Sequence, residues 1–139
     1  MNDQYATEPA LAGLFEFARV AALHAYAPYS HFRVGAALKL TNGEIVTGTN
    51  VENVSYGLTL CAERVALARA VSEFGPEIQI AAVAVANLND APSPPCGACR
   101  QVLAEFIQPE APVVFPAAGG VRTMAFSELL PLGFEMNLK

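Results

Sequence analysis

Apolar residues recur at helical spacing near the start of the chain. Thr7-Glu8-Pro9 offers a capping hydroxyl and an early proline, which is typical of a helix start. The residues that then share one helical face are Leu11, Leu14, Phe15, Ala18, Ala22 and Ala25. The pattern predicts an amphipathic helix that ends by Ala27-Pro28.

Two short apolar runs follow, Arg33–Leu40 and Glu44–Gly48, and Asn42-Gly43 lies between them. Asn-Gly favours a tight hairpin turn because both of its positions accept a positive φ. The sequence therefore predicts two antiparallel strands joined by such a turn.

The later apolar segments alternate between helical and extended patterns. A helical pattern begins near Cys61 and is ended by Gly75-Pro76. The nearly continuous apolar run Ile78–Leu88 predicts a strand covered on both faces, as in a parallel arrangement. The remaining predicted elements are a helix at Cys96–Ile107, strands at Pro112–Phe115 and Val121–Ala125, and a helical turn at Ser127–Leu130.

This order of elements predicts an α/β fold in which helices cover the faces of one sheet. At 53% hydrophobic residues the composition is ample for a continuous core. We find no repeat or linker in the sequence and expect a single domain over residues 1–139.

Charge and composition limit the classes of molecule that the protein is expected to bind and where it is expected to be found. The formal net charge is -5 and the eight basic residues form no run, so small molecules are expected rather than nucleic acid. Asp3 and Glu8 break any signal-peptide pattern, and Ile78–Asn89 is too short to span a membrane, so we expect a soluble, cytoplasmic protein. Charged residues make up only 15%, which favours a homo-oligomer that hides part of its surface.

The three cysteines, Cys61, Cys96 and Cys99, cannot all pair within one chain. Closely spaced thiols in a reducing compartment indicate metal or redox chemistry. Three thiolates suit a catalytic zinc site, which leaves the fourth position of a tetrahedral shell to water. All three cysteines lie at predicted helix starts, where the helix dipole favours the thiolate.

Glu63 and Arg64 follow the first cysteine directly. Glu63 is placed to take a proton from the water without binding the metal, although a glutamate in a first turn is most often there for capping and dipole reasons. Arg64, and less strongly Arg100, could donate hydrogen bonds to the ligand sulfurs; the alternative for Arg64 is an exposed helix residue.

Cys-x-Glu followed by Pro-Cys-x-x-Cys is the signature of zinc-dependent nucleobase and nucleoside deaminases. Over nearly its whole length the chain resembles the short, single-domain cytidine deaminases. The stretches that carry the resemblance are 27–38, 50–59, 61–64 and 95–101. The resemblance implies a three-layer α/β/α fold with a mixed central sheet of about five strands.

The resemblance also implies roles for individual residues. One Zn²⁺ per chain would be held by the three cysteines, Glu63 would be the catalytic proton shuttle, and Arg64 would bond the sulfurs. The residues implied to contact the substrate are Phe32, Asn50, Glu52, Ala62 and Phe134, with Asn50 and Glu52 on the ribose 3′-hydroxyl. The implied reaction is hydrolytic deamination of cytidine and 2′-deoxycytidine, as part of pyrimidine salvage.

The same resemblance implies a homotetramer in which neighbouring subunits complete each active site. An aromatic residue near the C-terminus reaches a neighbour's site in this family, and Phe134 holds that place after Leu129-Leu130-Pro131. The following Glu135-Met136-Asn137-Leu138 departs from the commoner family pattern.

Other functions fit parts of the sequence. A blasticidin-type deaminase shares the zinc residues, but Asn50-Val51-Glu52-Asn53 is the ribose-binding form of that segment. An editing deaminase on RNA or DNA lacks the expected basic surface. A structural zinc module would take His24 or His31 as a fourth ligand and needs no Glu63, and a redox dithiol at Cys96 and Cys99 leaves Cys61 without a role.

Overall fold

A mixed five-stranded sheet forms the centre of the molecule. The computed structural model describes residues 9–136. The predicted helix start at Thr7-Glu8 and the tail from Asn137 onward lie outside the described residues.

The helices are α1 (Pro9–Ala22), α2 (Ala62–Phe74), α3 (Gly97–Leu103) and α4 (Phe126–Leu129), and the strands are β1 (Val34–Leu40), β2 (Ile45–Thr49), β3 (Ile80–Asn87), β4 (Pro112–Ala117) and β5 (Gly120–Ala125). The strand order is β2-β1-β3-β4-β5. β3 and β4 pair in parallel, and the other neighbours pair antiparallel. The predicted α/β class and the sheet of about five strands are confirmed.

Helices cover both faces of the sheet, and alternate residues of β3 show how. Ala84 and its neighbours at the same spacing pack in a cluster with α1, whereas Val83 and Val85 pack in a cluster with α2 and α3. Successive side chains of a strand point to opposite faces. The nearly continuous apolar run therefore serves two cores, and the three-layer arrangement follows.

Two glycines let helices lie directly on the strands. A Cβ at Gly35 would come within 2.0 Å of the Ala18 carbonyl oxygen of α1. A Cβ at Gly48 would come within 2.4 Å of the Ala66 nitrogen of α2. The second contact sets α2, and with it the residues at its start, against the end of β2.

Local details differ from the sequence prediction. In the hairpin turn only Gly43 has a positive φ, at 94°, and its N–H donates to the Leu40 carbonyl over 3.0 Å. The loop therefore bulges at one glycine instead of placing both turn residues at positive φ.

α3 ends at Leu103, because residues 104–106 form a turn that brings Ile107 into a bridge with Ile80. β3 pairs antiparallel with β1, so the expectation of parallel neighbours was right for β4 alone.

One edge of the sheet collects the chain segments that matter for chemistry. Val34 at the start of β1 pairs with Asn87 at the end of β3, and Gly35 pairs with Thr49 at the end of β2. The loops before β1, after β2 and after β3 therefore meet at this edge. Within residues 9–136, no helix has the length and apolar character needed to cross a bilayer.

Candidate metal and catalytic site

The three cysteines converge at the starts of two helices. Cys61 is the N-cap residue of α2 and Cys96 is the N-cap residue of α3, with Cys99 in the first turn of α3. The Sγ atoms of Cys61 and Cys96 are 3.9 Å apart, and those of Cys96 and Cys99 are 3.4 Å apart. The expectation that these thiols lie at helix N-termini is confirmed.

The spacing of the sulfurs fits a zinc ion. Zn–S bonds of about 2.3 Å in a tetrahedral shell put sulfurs about 3.8 Å apart. All three Sγ atoms lie within 4.8 Å of one another, and no fourth His, Cys, Asp or Glu joins the group among residues 9–136. The donor set is therefore that of an open, three-ligand site, and neither histidine closes it.

Arg64 lies against this cluster. Its Nη2 donates to the Cys61 sulfur over 3.6 Å and to the Thr59 carbonyl over 3.4 Å. A hydrogen bond from Cys99, together with the Arg64 guanidinium, lowers the pKa of Cys61 to about 5. The hydrogen bond to Cys61 and burial raise the pKa of the Cys99 thiol. Arg100 instead donates to the carbonyls of Pro95 and Leu129, over 2.7 and 2.8 Å.

Glu63 is a buried carboxyl group in the first turn of α2. The residue is only 5% exposed, and burial raises the pKa of this carboxyl to about 7. The negative charge on Cys61 adds to that increase in pKa. A carboxyl group with a pKa near neutrality can both accept and release a proton at cellular pH.

Asn50 reaches the backbone around Phe32. Its Oδ1 accepts from the Val34 N–H over 2.9 Å, and its Nδ2 donates to the Phe32 carbonyl over 2.8 Å. A side-chain amide has two donor hydrogens and two acceptor lone pairs, so one of each is left for another partner. Asn50 and Phe32 are thus brought together at the sheet edge, with the Phe32 side chain half-buried.

Glu52 organises the loop just before Phe32. Its carboxylate accepts from the Tyr29 and Ser30 N–H groups over 3.0 and 3.2 Å and from the Ser30 hydroxyl. The hydrogen bond from the Ser30 hydroxyl lowers the pKa of Glu52 most strongly. The carboxylate is therefore ionised and lies beside the segment that carries Phe32.

Ala62 and Phe134 differ in their placement. The side chain of Ala62 is buried and the residue opens α2, so its N–H is one of the four that have no partner within the helix. Phe134 is 73% exposed, so most of its ring is not packed against the rest of the chain. The backbone of Phe134 is held by Gln101, whose Oε1 accepts from the Phe134 N–H and whose Nε2 donates to the Phe134 carbonyl.

The sequence prediction missed two side chains at this site. In the sequence analysis Gln101 is only the last residue of the final matching stretch, and Asn89 is only the end of the stretch Ile78–Asn89. Both use an amide to bind the backbone of a distant segment. The one available signal was the position of two polar residues, Asn87 at the end of a buried strand and Asn89 just after it. Nothing in a sequence gives the partner of a side-chain amide.

The chain matches one family model. Residues 11–115 match the model described as "Cytidine and deoxycytidylate deaminase zinc-binding region". The matched range contains Cys61, Cys96 and Cys99. It ends within β4, before the segment that carries Phe134.

Curated proteins and solved structures agree with that match. The chain is 48% identical over 117 residues to a cytidine deaminase of Halalkalibacterium halodurans, covering 81% of this chain and 87% of that protein. It is similar to a crystal structure of cytidine deaminase from Mycobacterium tuberculosis, with a TM-score of 0.81, 40% identity and coverage of 93% and 100%. A cytidine deaminase structure from Burkholderia pseudomallei gives a TM-score of 0.80, with 46% identity and coverage of 88% and 98%.

Proposed function

The chain belongs to the cytidine and deoxycytidylate deaminase family, and we propose that it hydrolyses cytidine and 2′-deoxycytidine to the corresponding uridines and ammonia. It is a zinc-dependent deaminase, with its cysteine cluster as the metal site. The observation that carries the proposed reaction is the buried Glu63 carboxyl group beside three sulfurs spaced for one zinc ion.

In the proposed mechanism the chain's own residues manage the protons. A bound zinc ion supplies Lewis-acid activation of a water molecule. Glu63 takes a proton from that water and delivers it to ring N3 as the water oxygen attacks C4. Glu63 then carries the second proton to the leaving amine, so that water and cytidine yield uridine and ammonia. Arg64 holds the Cys61 thiolate in place through its hydrogen bond.

We assign the nucleoside to the sheet edge that carries Phe32. The Phe32 ring would lie against the base. Asn50, with its remaining donor and acceptor, and Glu52 would form hydrogen bonds with the ribose 3′-hydroxyl. The N–H at the start of α2 would let Ala62 donate to the base through its main chain.

The first test is the loss of ultraviolet absorbance when purified protein meets cytidine or 2′-deoxycytidine. We expect both to be converted by protein that holds about one zinc per chain, and removal of the metal by a chelator to abolish the conversion. Free cytosine should react far more slowly, because it cannot use Asn50 and Glu52.

Two further substrates serve as controls for this assay. A cytosine-containing oligonucleotide should not react, since the chain has net charge -5 and no basic run. Blasticidin S should also be a poor substrate. Conversion of blasticidin S without conversion of cytidine would contradict the proposed substrate, and no conversion of either by zinc-loaded protein would contradict the reaction.

We also propose that the protein is a homotetramer whose subunits complete one another's sites. Exposed apolar side chains support this, among them Tyr56 at 89% and Leu132 at 96% exposure, in addition to Phe134. Large apolar patches on a surface mark interfaces, and these side chains would contribute to one. Sedimentation equilibrium should give a mass four times the 14.7 kDa of one chain.

Mixing two weakened variants tests whether Phe134 acts in a neighbour's site. Phe134→Ala subunits and Glu63→Gln subunits, each of low activity alone, should regain activity when unfolded and refolded together. A monomeric mass, or no gain on mixing, would contradict the shared site.

The proposal includes a role in pyrimidine salvage in the cytoplasm. The location is supported by the three cysteines, all of which are unpaired thiols. A reducing compartment such as the cytoplasm keeps thiols free of disulfides and so available to bind a metal. Cell fractionation that recovers the protein from an oxidising compartment would contradict this location.

A further inference from the structure

Two asparagine amides hold the backbone on both sides of Phe32. Asn89 accepts from the Arg33 N–H over 3.1 Å and donates to the His31 carbonyl over 3.0 Å. Asn50 holds the Phe32 carbonyl and the Val34 N–H. The four backbone groups come from consecutive residues and alternate between the two amides, so Phe32 cannot shift without breaking bonds to one of them.

His31 gives the Asn89 contact particular weight. Its φ is 59°, in the left-handed region that a residue with a Cβ rarely adopts. Such a conformation persists only where the surroundings hold it. The His31 N–H donates to the Ala27 carbonyl over 3.0 Å, and Asn89 holds its carbonyl. The strained peptide that immediately precedes Phe32 is thus fixed at both ends.

Asn89 is itself fixed by Asn87 at the end of β3. The Asn87 Oδ1 accepts from the Asn89 N–H over 2.9 Å, and its Nδ2 donates to the Ala91 carbonyl and the Ser93 hydroxyl over 2.7 and 2.8 Å. This loop continues directly to Cys96. The segment that leads to the metal ligands and the segment that carries Phe32 are therefore joined by the Asn89 side chain, next to one backbone hydrogen bond from the Leu88 N–H to the Arg33 carbonyl over 3.1 Å.

We propose that Asn89 is a positioning residue for nucleoside binding. It holds Phe32 at a fixed place relative to the loop that leads from β3 to Cys96. The inference rests on the proposed function, because it concerns the aromatic side chain assigned to the base. Asn89 does not touch the reacting atoms. It acts by placing the Phe32 backbone. Its loss should therefore weaken binding of the substrate and of the transition state by the same amount.

The test is Asn89→Ala. We expect KM for cytidine to rise about ten-fold, which is the scale set by losing two neutral hydrogen bonds, with kcat within about two-fold of wild type. Zinc content should stay at about one per chain. Hydrogen exchange followed by mass spectrometry should show faster exchange in the peptide that covers residues 29–34.

Asn89→Asp separates the two bonds of the amide. An aspartate keeps an acceptor for the Arg33 N–H but places an oxygen against the His31 carbonyl, so KM should rise at least as much as in Asn89→Ala. Asn42→Ala is the matched control, because Asn42 makes one bond of 2.9 Å to the Glu44 N–H in the hairpin turn. It should leave KM and exchange at 29–34 unchanged.

Several results would overturn the proposal. They are an unchanged KM in Asn89→Ala, a wild-type KM in Asn89→Asp, unchanged exchange at 29–34, or a loss of zinc in either variant. Failure of the wild-type protein to convert cytidine would contradict the proposed function instead. In that case the exchange measurement alone decides whether Asn89 holds the Phe32 segment.

Discussion

Glu63→Gln is expected to lower kcat for cytidine by about 10²–10⁴-fold while leaving zinc bound. Glutamine keeps the shape of the side chain but cannot accept a proton from the water or carry one to the leaving amine. The carboxyl group it replaces is only 5% exposed, with its pKa raised to about 7 by burial. The change therefore removes a tuned proton carrier and strands no buried charge.

Steady-state kinetics, with metal analysis on the same samples, measures this effect. Glu73→Gln is the matched control, because Glu73 lies on the same helix and forms an exposed ion pair with Arg69. The control should keep wild-type kcat, since exposed pairs of this kind add little to stability. Near-full activity of Glu63→Gln with zinc retained would contradict the proton-shuttle role, and loss of zinc would mean that the variant had damaged the metal site.

Much of the fold could be predicted because apolar residues recur at helical spacing in some segments and form short apolar runs typical of strands in others. The apolar run of β3 is long enough for a strand and too continuous for a surface, and it lies in the middle of the sheet as expected. One neighbour, β1, runs antiparallel to β3 and the other, β4, runs parallel to it. An apolar run does not reveal these strand directions. The end of α3 was also misplaced, because a turn and a bridge to Ile80 replace its last predicted turn.

The metal cluster could be predicted because its chemistry is local. Cys61, Glu63 and Arg64 are near neighbours, and Cys96 and Cys99 share one helical turn. The part that escaped prediction depends on pairs far apart in the chain. The bonds of Asn89 to residues 31 and 33 span 58 and 56 positions, and those of Gln101 to Phe134 span 33. Only the fold brings these amides to their partners.

Cys99→Ser is expected to abolish zinc binding at ordinary metal concentrations and with it all turnover. Cys99 is fully buried, its Sγ lies 3.4 Å from that of Cys96, and it closes the three-ligand set. A serine hydroxyl does not ionise at neutral pH and is a poor zinc ligand. Altering groups that only support metal ligands already costs about 10–100-fold in affinity, so losing a ligand should cost more than about 100-fold.

Metal analysis after dialysis measures the zinc that remains, and thermal unfolding with and without added zinc gives a second readout. Zinc should raise the Tm of the wild-type protein, because a ligand that binds the folded state stabilises it, and should leave the Tm of Cys99→Ser unchanged. Cys96→Ser, at an exposed position, should lose zinc equally and shows that the effect is not a buried-core defect. Ala98→Ser, an exposed position in the same helix, should keep about one zinc per chain. Retention of zinc through dialysis by both cysteine variants would contradict the three-thiolate site.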